Sequence, residues 1–372
     1  MSVKIFDTIV VGGGLVGSAI AYGLAKRDQS VLILDQGDIA FRASRGNFGL
    51  VWVQGKGNGL PAYSQWSLKS ARVWPELAAS IQEDTGIDVN LNQPGGIHFF
   101  LNETERDARD KLLKSIASAA GAEFSHELID QKAVRDLFPH VSDAIIGAAS
   151  SPHDGACNSL RLFRGLHAGF QSRGGTYESN QTVVDIQFQN PGFMVKTQSD
   201  SFTSARVVLA AGLGTRELAP KVGLNAPVSP LKGQIMVTAK IKPFLNRPTH
   251  FMRQTDEGGV IIGESKEDVG FDDRTTPSVM HALAKRAGMI FPMLRDVNVV
   301  RTWGALRVMT PDGAPVYQHS ETCPGAFMTC VHSGVTLAGA HAGPLADAIA
   351  GGALGDYFKP FHPERFNVPK TA

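Results

Sequence analysis

The chain has 372 residues, with 36 basic and 35 acidic side chains and a formal net charge of +1 at pH 7. This balance argues against a nucleic-acid-binding protein or a polybasic membrane anchor, and no apolar run reaches the ~18 residues of a transmembrane segment. The three cysteines lack disulfide or metal-site spacing. A first strand starting near Lys4 leaves no room for a signal peptide, so we expect a cytoplasmic protein.

The first 36 residues have the pattern of a dinucleotide-binding unit. An apolar strand (residues 9–11) precedes three glycines in GxGxxG spacing, and a small-residue helix (18–26) and a second strand (31–34) follow. The glycines permit a tight turn, close approach of the backbone to a pyrophosphate, and close helix–strand packing. The acid after the second strand can accept hydrogen bonds from ribose hydroxyls. The expected cofactor contacts here are Gly12, Gly14, Leu15, Val16, Gly17, Asp35 and Gln36.

A glycine-rich polar loop, residues 42–49, comes next in the chain. Its side chains are small or polar, so the loop can line a ligand. We expect a second group of cofactor contacts from this loop and the residue after it: Ser44, Arg45, Gly46, Asn47, Gly49 and Leu50.

The next segments are mainly helical, and the chain then changes to strands. Apolar spacing predicts helices at 63–81 (broken or kinked near Pro75), 103–120, 129–138 and 160–174, and a strand at 95–101. Two or three short strands with a turn at 190–192 are expected within 182–209. Further strands are expected at 233–239, 250–254, 259–263 and 297–308, with a helix at 277–291.

The order in which helical and strand-rich segments follow each other along the chain predicts a discontinuous domain organisation. Alternation of apolar and polar residues after position 232 is typical of an antiparallel sheet with one solvated or ligand-facing side. We expect an α/β fold in which a dinucleotide domain is interrupted twice by a second domain. The predicted boundaries are 1–85, 145–228 and 306–372 for the first domain, and 86–144 and 229–305 for the second.

Two later segments are further candidates for cofactor contacts. Residues 206–215 form an apolar strand that ends in Ala211 and Gly212, which is either an ordinary buried strand or a second nucleotide contact. Residues 331–337 enter a helix predicted to continue through 348, which is either a surface helix capped by Ser333 or Thr336 or a helix N-terminus facing the N1/C2=O end of a flavin. Three such signals suit an extended FAD better than NAD.

At this point the chain resembles the D-amino-acid oxidase-like family of FAD enzymes, which includes glycine oxidase and sarcosine oxidase. The resemblance spans nearly the whole chain. Within the family, residues 44–57 and 258–272 look like the β subunits of heteromeric opine oxidases or dehydrogenases, with hydrogen cyanide synthase and D-hydroxyproline dehydrogenase subunits as relatives. The resemblance implies a Rossmann-like FAD domain of glutathione-reductase type interrupted by a mixed or antiparallel substrate domain.

The resemblance also implies partners and further contact residues. The expected partners are an α subunit with a second flavin- or nucleotide-binding domain and, where present, a small iron–sulfur subunit. The cofactor contacts that complete the expected set are Val184, Ala211, Gly212, Gly304, Arg307, Ser333, Gly334, Val335 and Thr336.

The family reaction moves a hydride from the carbon next to an amine nitrogen to flavin N5 and leaves an imine that water hydrolyses. A substrate carboxylate needs a fixed cation, and arginine suits it best. Arg307 matches the carboxylate-binding arginine of glycine oxidase-like enzymes, and Arg253 is a second candidate for a substrate with two carboxylates. His250 and His332 are candidates to accept a proton from the substrate ammonium, although a lone histidine is more often structural.

Two departures from the family bear on oxygen reactivity and on flavin attachment. In an ungapped comparison Ile261 stands where sarcosine oxidase-type enzymes carry an oxygen-activating lysine, which predicts electron transfer to a partner rather than to oxygen. Cys323 lies past the expected attachment region, and Cys157 lies near a site where heteromeric sarcosine oxidases use histidine. We therefore expect non-covalent FAD.

Several alternatives remain open at the level of sequence. The preferred function is that of an opine dehydrogenase β subunit, which acts on a carboxylate-bearing secondary amine. D-hydroxyproline, glycine, sarcosine or proline are alternative substrates. A subunit that holds FAD without catalysing the reaction is another alternative, and an NAD-dependent dehydrogenase is the weakest.

Overall fold

The computed structural model describes residues 5–37, 43–121 and 123–367. The predicted strand start near Lys4 and the first residue of the polar loop, Arg42, lie outside these residues. Within the described ranges the chain forms one large mixed sheet with a parallel centre, a second antiparallel sheet, two smaller sheets, and helices that pack against them.

The strands, in chain order, are β1 Ile5–Val11, β2 Val31–Leu34, β3 Leu50–Val51, β4 Gly96–Phe100, β5 Glu127–Asp130, β6 Gly147–Ser151, β7 Gly155–Ala156, β8 Thr176–Glu178, β9 Val183–Phe188, β10 Phe193–Thr197, β11 Ser201–Leu209, β12 Ser229–Thr238, β13 Met252–Gln254, β14 Val260–Ile262, β15 Val299–Met309, β16 Val316–His319 and β17 Ala326–Cys330. The helices are α1 Leu15–Ala25, α2 Pro61–Thr85, α3 Glu103–Ala120, α4 Gln131–Leu137, α5 Ser159–Ser172, α6 Thr215–Leu218, α7 Pro277–Ile290, α8 Ala338–Ala340 and α9 Ala346–Ala350.

The main sheet has five parallel strands at its centre, in the order β17–β11–β1–β2–β8, with β16 antiparallel at one edge. The first half of β11 pairs with antiparallel β10 and its second half with β17. Both faces are buried: Val10 and Val208 face one apolar cluster, whereas Ile9 and Val207 face the other. Burial on two sides explains why these strands are continuous apolar runs.

The second sheet is antiparallel, in the order β13–β14–β12–β15, and α7 packs against it. A three-stranded sheet, β4–β6–β5, joins it through a parallel bridge between Ile97 and Thr249. Phe99, Phe251 and Phe291 lie in the apolar cluster beneath them. The predicted α/β fold with a second, mixed or antiparallel sheet is confirmed, whereas the exact domain boundaries stay a prediction.

Of the predicted break or kink near Pro75, the break is wrong, because α2 runs through this residue as one helix of 25 residues. Proline has no N–H to donate to the carbonyl four residues earlier, that of Ala71. Nε2 of Gln93 donates to this carbonyl at 3.1 Å. A side chain from the following loop therefore satisfies the acceptor that the proline leaves free.

Two other helix predictions need correction. Residues 129 and 130 belong to β5 rather than to a helix, and Asp130 caps α4 by accepting from the N–H of Ala133 at 2.8 Å. The helix expected from residue 331 onward begins only at Ala338 and is interrupted at Gly343, whose φ/ψ of −97°/−108° is not helical and which precedes Pro344. Residues 334–337 form a turn instead.

Across the described ranges, no helix is long and apolar enough to cross a membrane. In the same residues no cluster of three or more His, Cys, Asp or Glu side chains is arranged to hold a metal ion.

Candidate active site

A cavity of about 480 Å³ lies at the carboxyl ends of the parallel strands. Val11, Leu34, Ala210 and Thr329, at or near the ends of β1, β2, β11 and β17, line it together. Ligands of open parallel sheets bind in such a crevice, where side chains and backbone from several loops converge.

The glycines of the first turn shape one wall of this larger cavity. Gly12 has φ +103°, and a Cβ there would lie 2.6 Å from the carbonyl oxygen of Ala210. A Cβ on Gly17 would overlap the carbonyl oxygen of Gly12, so this glycine brings α1 onto the turn. Gly14 leaves space in front of the start of α1, where a Cβ would lie 2.8 Å from Ser44 Oγ. The backbone can therefore closely approach a bound phosphate.

Asp35 lies at the opposite side of this turn and is 5% exposed. Its Oδ2 accepts from the N–H of Gly13 at 2.7 Å and its Oδ1 from the N–H of Gly37 at 2.9 Å. These bonds fix the carboxylate at the cavity wall, where the sequence predicts the ribose. Ser44 Oγ accepts from the N–H of Leu15 at 2.9 Å, which ties the polar loop to α1.

About half of the predicted cofactor contacts line the larger cavity. They are Gly12, Gly14, Leu15, Val16, Asp35, Gln36, Ser44, Asn47, Ala211, Gly212 and Gly334. A dinucleotide such as FAD fits three features of this cavity: the turn at which only glycine leaves space, the fixed carboxylate of Asp35, and the long crevice over the strand ends.

Other predicted residues line neither cavity: Gly17, Arg45, Gly49, Val184, Arg253 and Gly304. Val184 is 45% exposed, and its neighbour Val183 lines the larger cavity because side chains alternate along a strand. Arg253 is 7% exposed, and its Nε donates to the carbonyl of Phe48 at 2.5 Å, so it holds the polar loop.

A second cavity of about 310 Å³ adjoins the first. Ala43, Asn47, Leu306 and His332 line both, so the two spaces form one continuous site. The predicted residues that line the smaller cavity are Gly46, Asn47, Leu50, His250, Arg307, His332, Ser333, Val335 and Thr336.

Arg307, on β15, lies at the wall of this smaller cavity. Its Nη1 donates to the carbonyls of Ser265 at 2.9 Å and Lys232 at 3.2 Å, whereas its Nη2 and Nε have no protein acceptor within the described part of the chain. Burial lowers the pKa of the guanidinium, and nearby carboxylates offset part of this effect. The group is therefore a fixed cation with free donors, which suits a carboxylate.

Glu264 faces the same cavity and follows β14. Its φ is +89°, a conformation that non-glycine residues rarely adopt and that is often found at functional sites. His250 Nε2 lies 3.1 Å from its Oε2, and the His250 ring stacks on His98 with centroids 3.6 Å apart. Burial raises the pKa of Glu264, but the His250 hydrogen bond and nearby cations outweigh it, so the net pKa is lowered.

Lys56 and His332 lie on facing segments of the smaller cavity. Lys56 Nζ donates to Ser333 Oγ at 2.7 Å and lies 3.3 Å from His332 Nε2. Burial, and then the charge of Lys56, hold the pKa of His332 well below its ordinary value, so His332 is neutral and a weak base. Ser333 and Thr336 cap no helix: Thr336 Oγ1 accepts from the N–H of Trp52 at 3.1 Å.

Sequence reasoning missed three charged residues of this cavity: Lys56, Glu264 and Lys266. Lys56 follows Gly55 in a glycine-rich loop, and Glu264 and Lys266 follow a short buried strand, so each has the local signature of a polar loop residue. Ile261, which was compared with the oxygen-activating lysine, is buried within β14 and does not line either cavity, whereas Lys266 does. The residue at position 261 therefore gives no support to the expectation of poor oxygen reactivity.

Comparison with known proteins identifies relatives that match most or nearly all of the length of this chain. A family model described as FAD dependent oxidoreductase (DAO) matches residues 7–348. The B subunit of opine oxidase from Agrobacterium tumefaciens (strain Ach5) is 44% identical over 98% of this chain and 99% of its own. Glycine oxidase of Geobacillus kaustophilus (strain HTA426) is 27% identical over 88% of each chain.

Solved structures show the same fold. The crystal structure of glycine oxidase from Geobacillus kaustophilus superposes with a TM-score of 0.88 at 25% identity, over 96% of this chain and 98% of that one. The structure of L-proline dehydrogenase from P. horikoshii gives a TM-score of 0.85 at 21% identity, over 98% and 99%.

Proposed function

We propose, from the premise that this chain belongs to the DAO family of FAD-dependent oxidoreductases, that it is the B subunit of an opine-oxidising enzyme. Its substrate is a secondary amine with at least two carboxylates, of the octopine or nopaline type. The 44% identity to the B subunit of opine oxidase over nearly both whole chains supports this choice over glycine, sarcosine, proline or D-hydroxyproline.

The observation that carries the proposal is the charge of the smaller cavity. Arg307, Lys266 and Lys56 line it, and the one lining carboxylate among the described residues is Glu264. Two carboxylates on the substrate would neutralise this excess of cations, whereas a substrate with a single carboxylate would leave part of it uncompensated. Water screens the exposed Lys266, but uncompensated charge at the buried Arg307 guanidinium and the half-buried Lys56 is costly, so the cavity favours a dicarboxylate.

Each residue has a separate role in this proposal. Arg307, whose Nη2 and Nε have no acceptor among residues 5–37, 43–121 and 123–367, holds one substrate carboxylate, and the more exposed Lys266 holds the other. Glu264 accepts a hydrogen bond from the substrate amine and so orients the C–H bond that breaks. When bound, the flavin supplies the acceptor for the hydride of that bond.

The same cations favour the protonation state that the reaction needs. A hydride leaves the carbon readily only when the neighbouring amine is neutral. Fixed positive charges disfavour a bound ammonium and lower its pKa. Arg307 and Lys56 therefore assist loss of the amine proton to solvent, whereas the carboxylate of Glu264 opposes it, and neutral His332 adds no positive charge at the junction of the two cavities.

The flavin is proposed to bind without a covalent link. Cys157 is 1% exposed in the apolar core, burial raises the pKa of its thiol to about 12, and it lines neither cavity. Cys323 also lies outside both cavities. The relatives' names, which mark each as one component of a larger enzyme, support the proposed partners: an α subunit, with a second flavin or an iron–sulfur cluster on a partner.

An anaerobic titration tests this function. The purified flavoprotein, alone and with its co-purifying partners, is mixed with octopine, nopaline, glycine, sarcosine, proline and D-hydroxyproline while the visible flavin band is recorded. The proposal is supported if octopine or nopaline bleaches the flavin at a lower concentration than the other amines do. Bleaching by another amine reassigns the substrate, and a flavin that no amine bleaches, even in the complex, supports a subunit that holds FAD without catalysing the reaction.

A further inference from the structure

Lys56 is a half-buried cation that forms no ion pair within the described ranges. Its Nζ donates to Ser333 Oγ at 2.7 Å and lies 3.3 Å from His332 Nε2, both uncharged groups. Among the residues that the structure describes, no carboxylate oxygen lies within 4.0 Å of this nitrogen. Burying an unpaired charge is unfavourable, so we expect a ligand to supply the negative charge.

The surroundings of Lys56 are fixed from several directions. Tyr63, on α2, donates to Ser333 Oγ at 2.9 Å, and its ring lies 5.7 Å from Lys56 Nζ. On the other side Asp154 accepts from the N–H groups of Val53 and Gln54 and so holds the loop that carries the lysine. The ammonium is therefore positioned by packing and hydrogen bonds rather than by an ion pair.

The charged groups around Lys56 leave it readily titratable. Burial lowers its pKa to about 8, the carboxylate of Asp154 opposes this effect, and the cations Lys266 and Arg307 add to it. His332 is neutral and contributes no charge. A negative charge arriving next to this lysine would raise its pKa again.

The contacts of Lys56 point to the flavin end of the site. Its partners belong to the segment 331–336, in which His332 lines both cavities and Gly334 lines the larger one. The helix that the sequence predicts from residue 331 begins only at Ala338, so no helix dipole starts at residues 331–336. The cation that acts most strongly on His332, where the two cavities meet, is Lys56.

We infer that the Lys56 ammonium stabilises the negative charge that the flavin gains on reduction, and that reduction is thereby coupled to the protonation of this lysine. A hydride brings two electrons and one proton and leaves the reduced flavin with a negative charge. When Lys56 is neutral beforehand, it takes a proton from water as the flavin is reduced. The inference rests on the FAD implied by the family and is independent of the substrate.

The test is the midpoint potential of the purified holoprotein, measured against reference dyes during dithionite reduction from about pH 6.5 to pH 10. Between pH 8 and the higher pKa of the reduced state, one additional proton is taken up, so the potential should fall more steeply with pH in that interval than below it. Lys56→Met should abolish the steeper interval and lower the potential at pH 7 by about 30 mV, which equals a tenfold change in the two-electron equilibrium.

Two variants make the outcome specific. Lys56→Arg keeps the charge and should retain most of the potential. Lys266→Met removes a solvent-exposed cation of the same cavity and should shift the potential less, because water screens it. The inference is overturned if the wild-type potential shows no steeper interval with pH. It is also overturned if the potential of Lys56→Met equals that of wild type, or if Lys266→Met shifts the potential as much as Lys56→Met does. No amine enters the measurement, so a wrong substrate assignment does not affect it.

Discussion

The two adjoining cavities are built in different ways. The larger one is shaped by backbone: glycines with no side chain to block the ligand, strand ends, and one carboxylate held by two N–H groups. The smaller one is shaped by charged side chains from separate segments, among them Lys56, Glu264 and Arg307. In the proposed function the larger cavity therefore sets which cofactor class fits, and the smaller cavity sets which substrate charge fits.

This contrast has a consequence for substitutions. A change in the larger cavity acts by steric exclusion and should remove the cofactor outright. A change in the smaller cavity acts on electrostatics and should leave the cofactor bound while substrate preference shifts.

Gly14→Val should weaken FAD binding about 100-fold, or about 2.8 kcal/mol. The backbone of Gly14 has φ −69°, which valine tolerates, so the effect comes from side-chain atoms placed where the phosphates approach and against Ser44 Oγ, 2.8 Å from the added Cβ. Flavin retention after dialysis, read by fluorescence, measures it. Gly355→Val is the matched control, because a Cβ at this exposed glycine meets nothing within 4 Å. Full flavin retention in Gly14→Val would refute the proposed location of the phosphates.

Arg307→Met should raise the dissociation constant of a dicarboxylate amine about 50-fold while FAD stays bound. Loss of one partner of a buried charged pair costs roughly 2–5 kcal/mol, and Arg307 has two donors free for that partner. Spectral titration of the flavoprotein measures the constant. Arg106→Met, which removes an exposed arginine on α3, serves as control. If the Arg307→Met variant loses FAD instead, Arg307 contributes to cofactor binding, and the two cavities do not act separately at this residue.

Glu264→Gln should weaken the binding of amine substrates about tenfold, or about 1.4 kcal/mol. The carboxylate is proposed to accept a hydrogen bond from the amine. A ligand that differs only in having an ether oxygen in place of N–H should therefore bind to the variant at least as tightly as it binds to wild type. Comparing 2,2′-iminodiacetate with its ether analogue by spectral titration measures the difference. Equal losses for both ligands would mean that Glu264 acts only through the local structure that His250 and the strained φ maintain.

The affinity for the ether dicarboxylate should fall about threefold as pH rises through about 8, an effect limited by solvent screening. Lys56 has a pKa of about 8, so it is charged below that pH and neutral above it, and the positive potential of the cavity decreases accordingly. Dissociation constants between pH 7 and pH 9 measure the effect. In Lys56→Met the dependence should disappear, and a dependence that persists there would assign it to another group.

Much of the fold was predictable because its signals are local. The strand–glycine–helix–strand–acid unit that ends at Asp35 is contiguous, and α3 at Glu103–Ala120 has the predicted bounds. Strands β16 and β17 were not predicted: β17 is fully buried and short, and its neighbour β11 is distant in sequence. The continuity of α2 through Pro75 depends on Gln93, which local patterning does not reveal.

The charged lining of the smaller cavity could not be predicted in the same way. Arg307 was found through family resemblance, whereas Lys56, Glu264 and Lys266 stand in ordinary polar loops. Folding brings Lys56 to Ser333, 277 residues later in the chain. Chemistry that depends on such long-range contacts leaves no periodic or spacing signal in the sequence.

The most direct test of the dicarboxylate assignment compares two substrates that differ in one charge. Anaerobic stopped-flow reduction of the flavoprotein is measured with an N-carboxyalkyl amino acid and with the same molecule in which one carboxylate is converted to its amide. The account predicts that the amide reduces the flavin at least about 50-fold less efficiently, or roughly 2.3 kcal/mol. Equal efficiency would contradict it, because the cations of the smaller cavity would then not select for a second carboxylate.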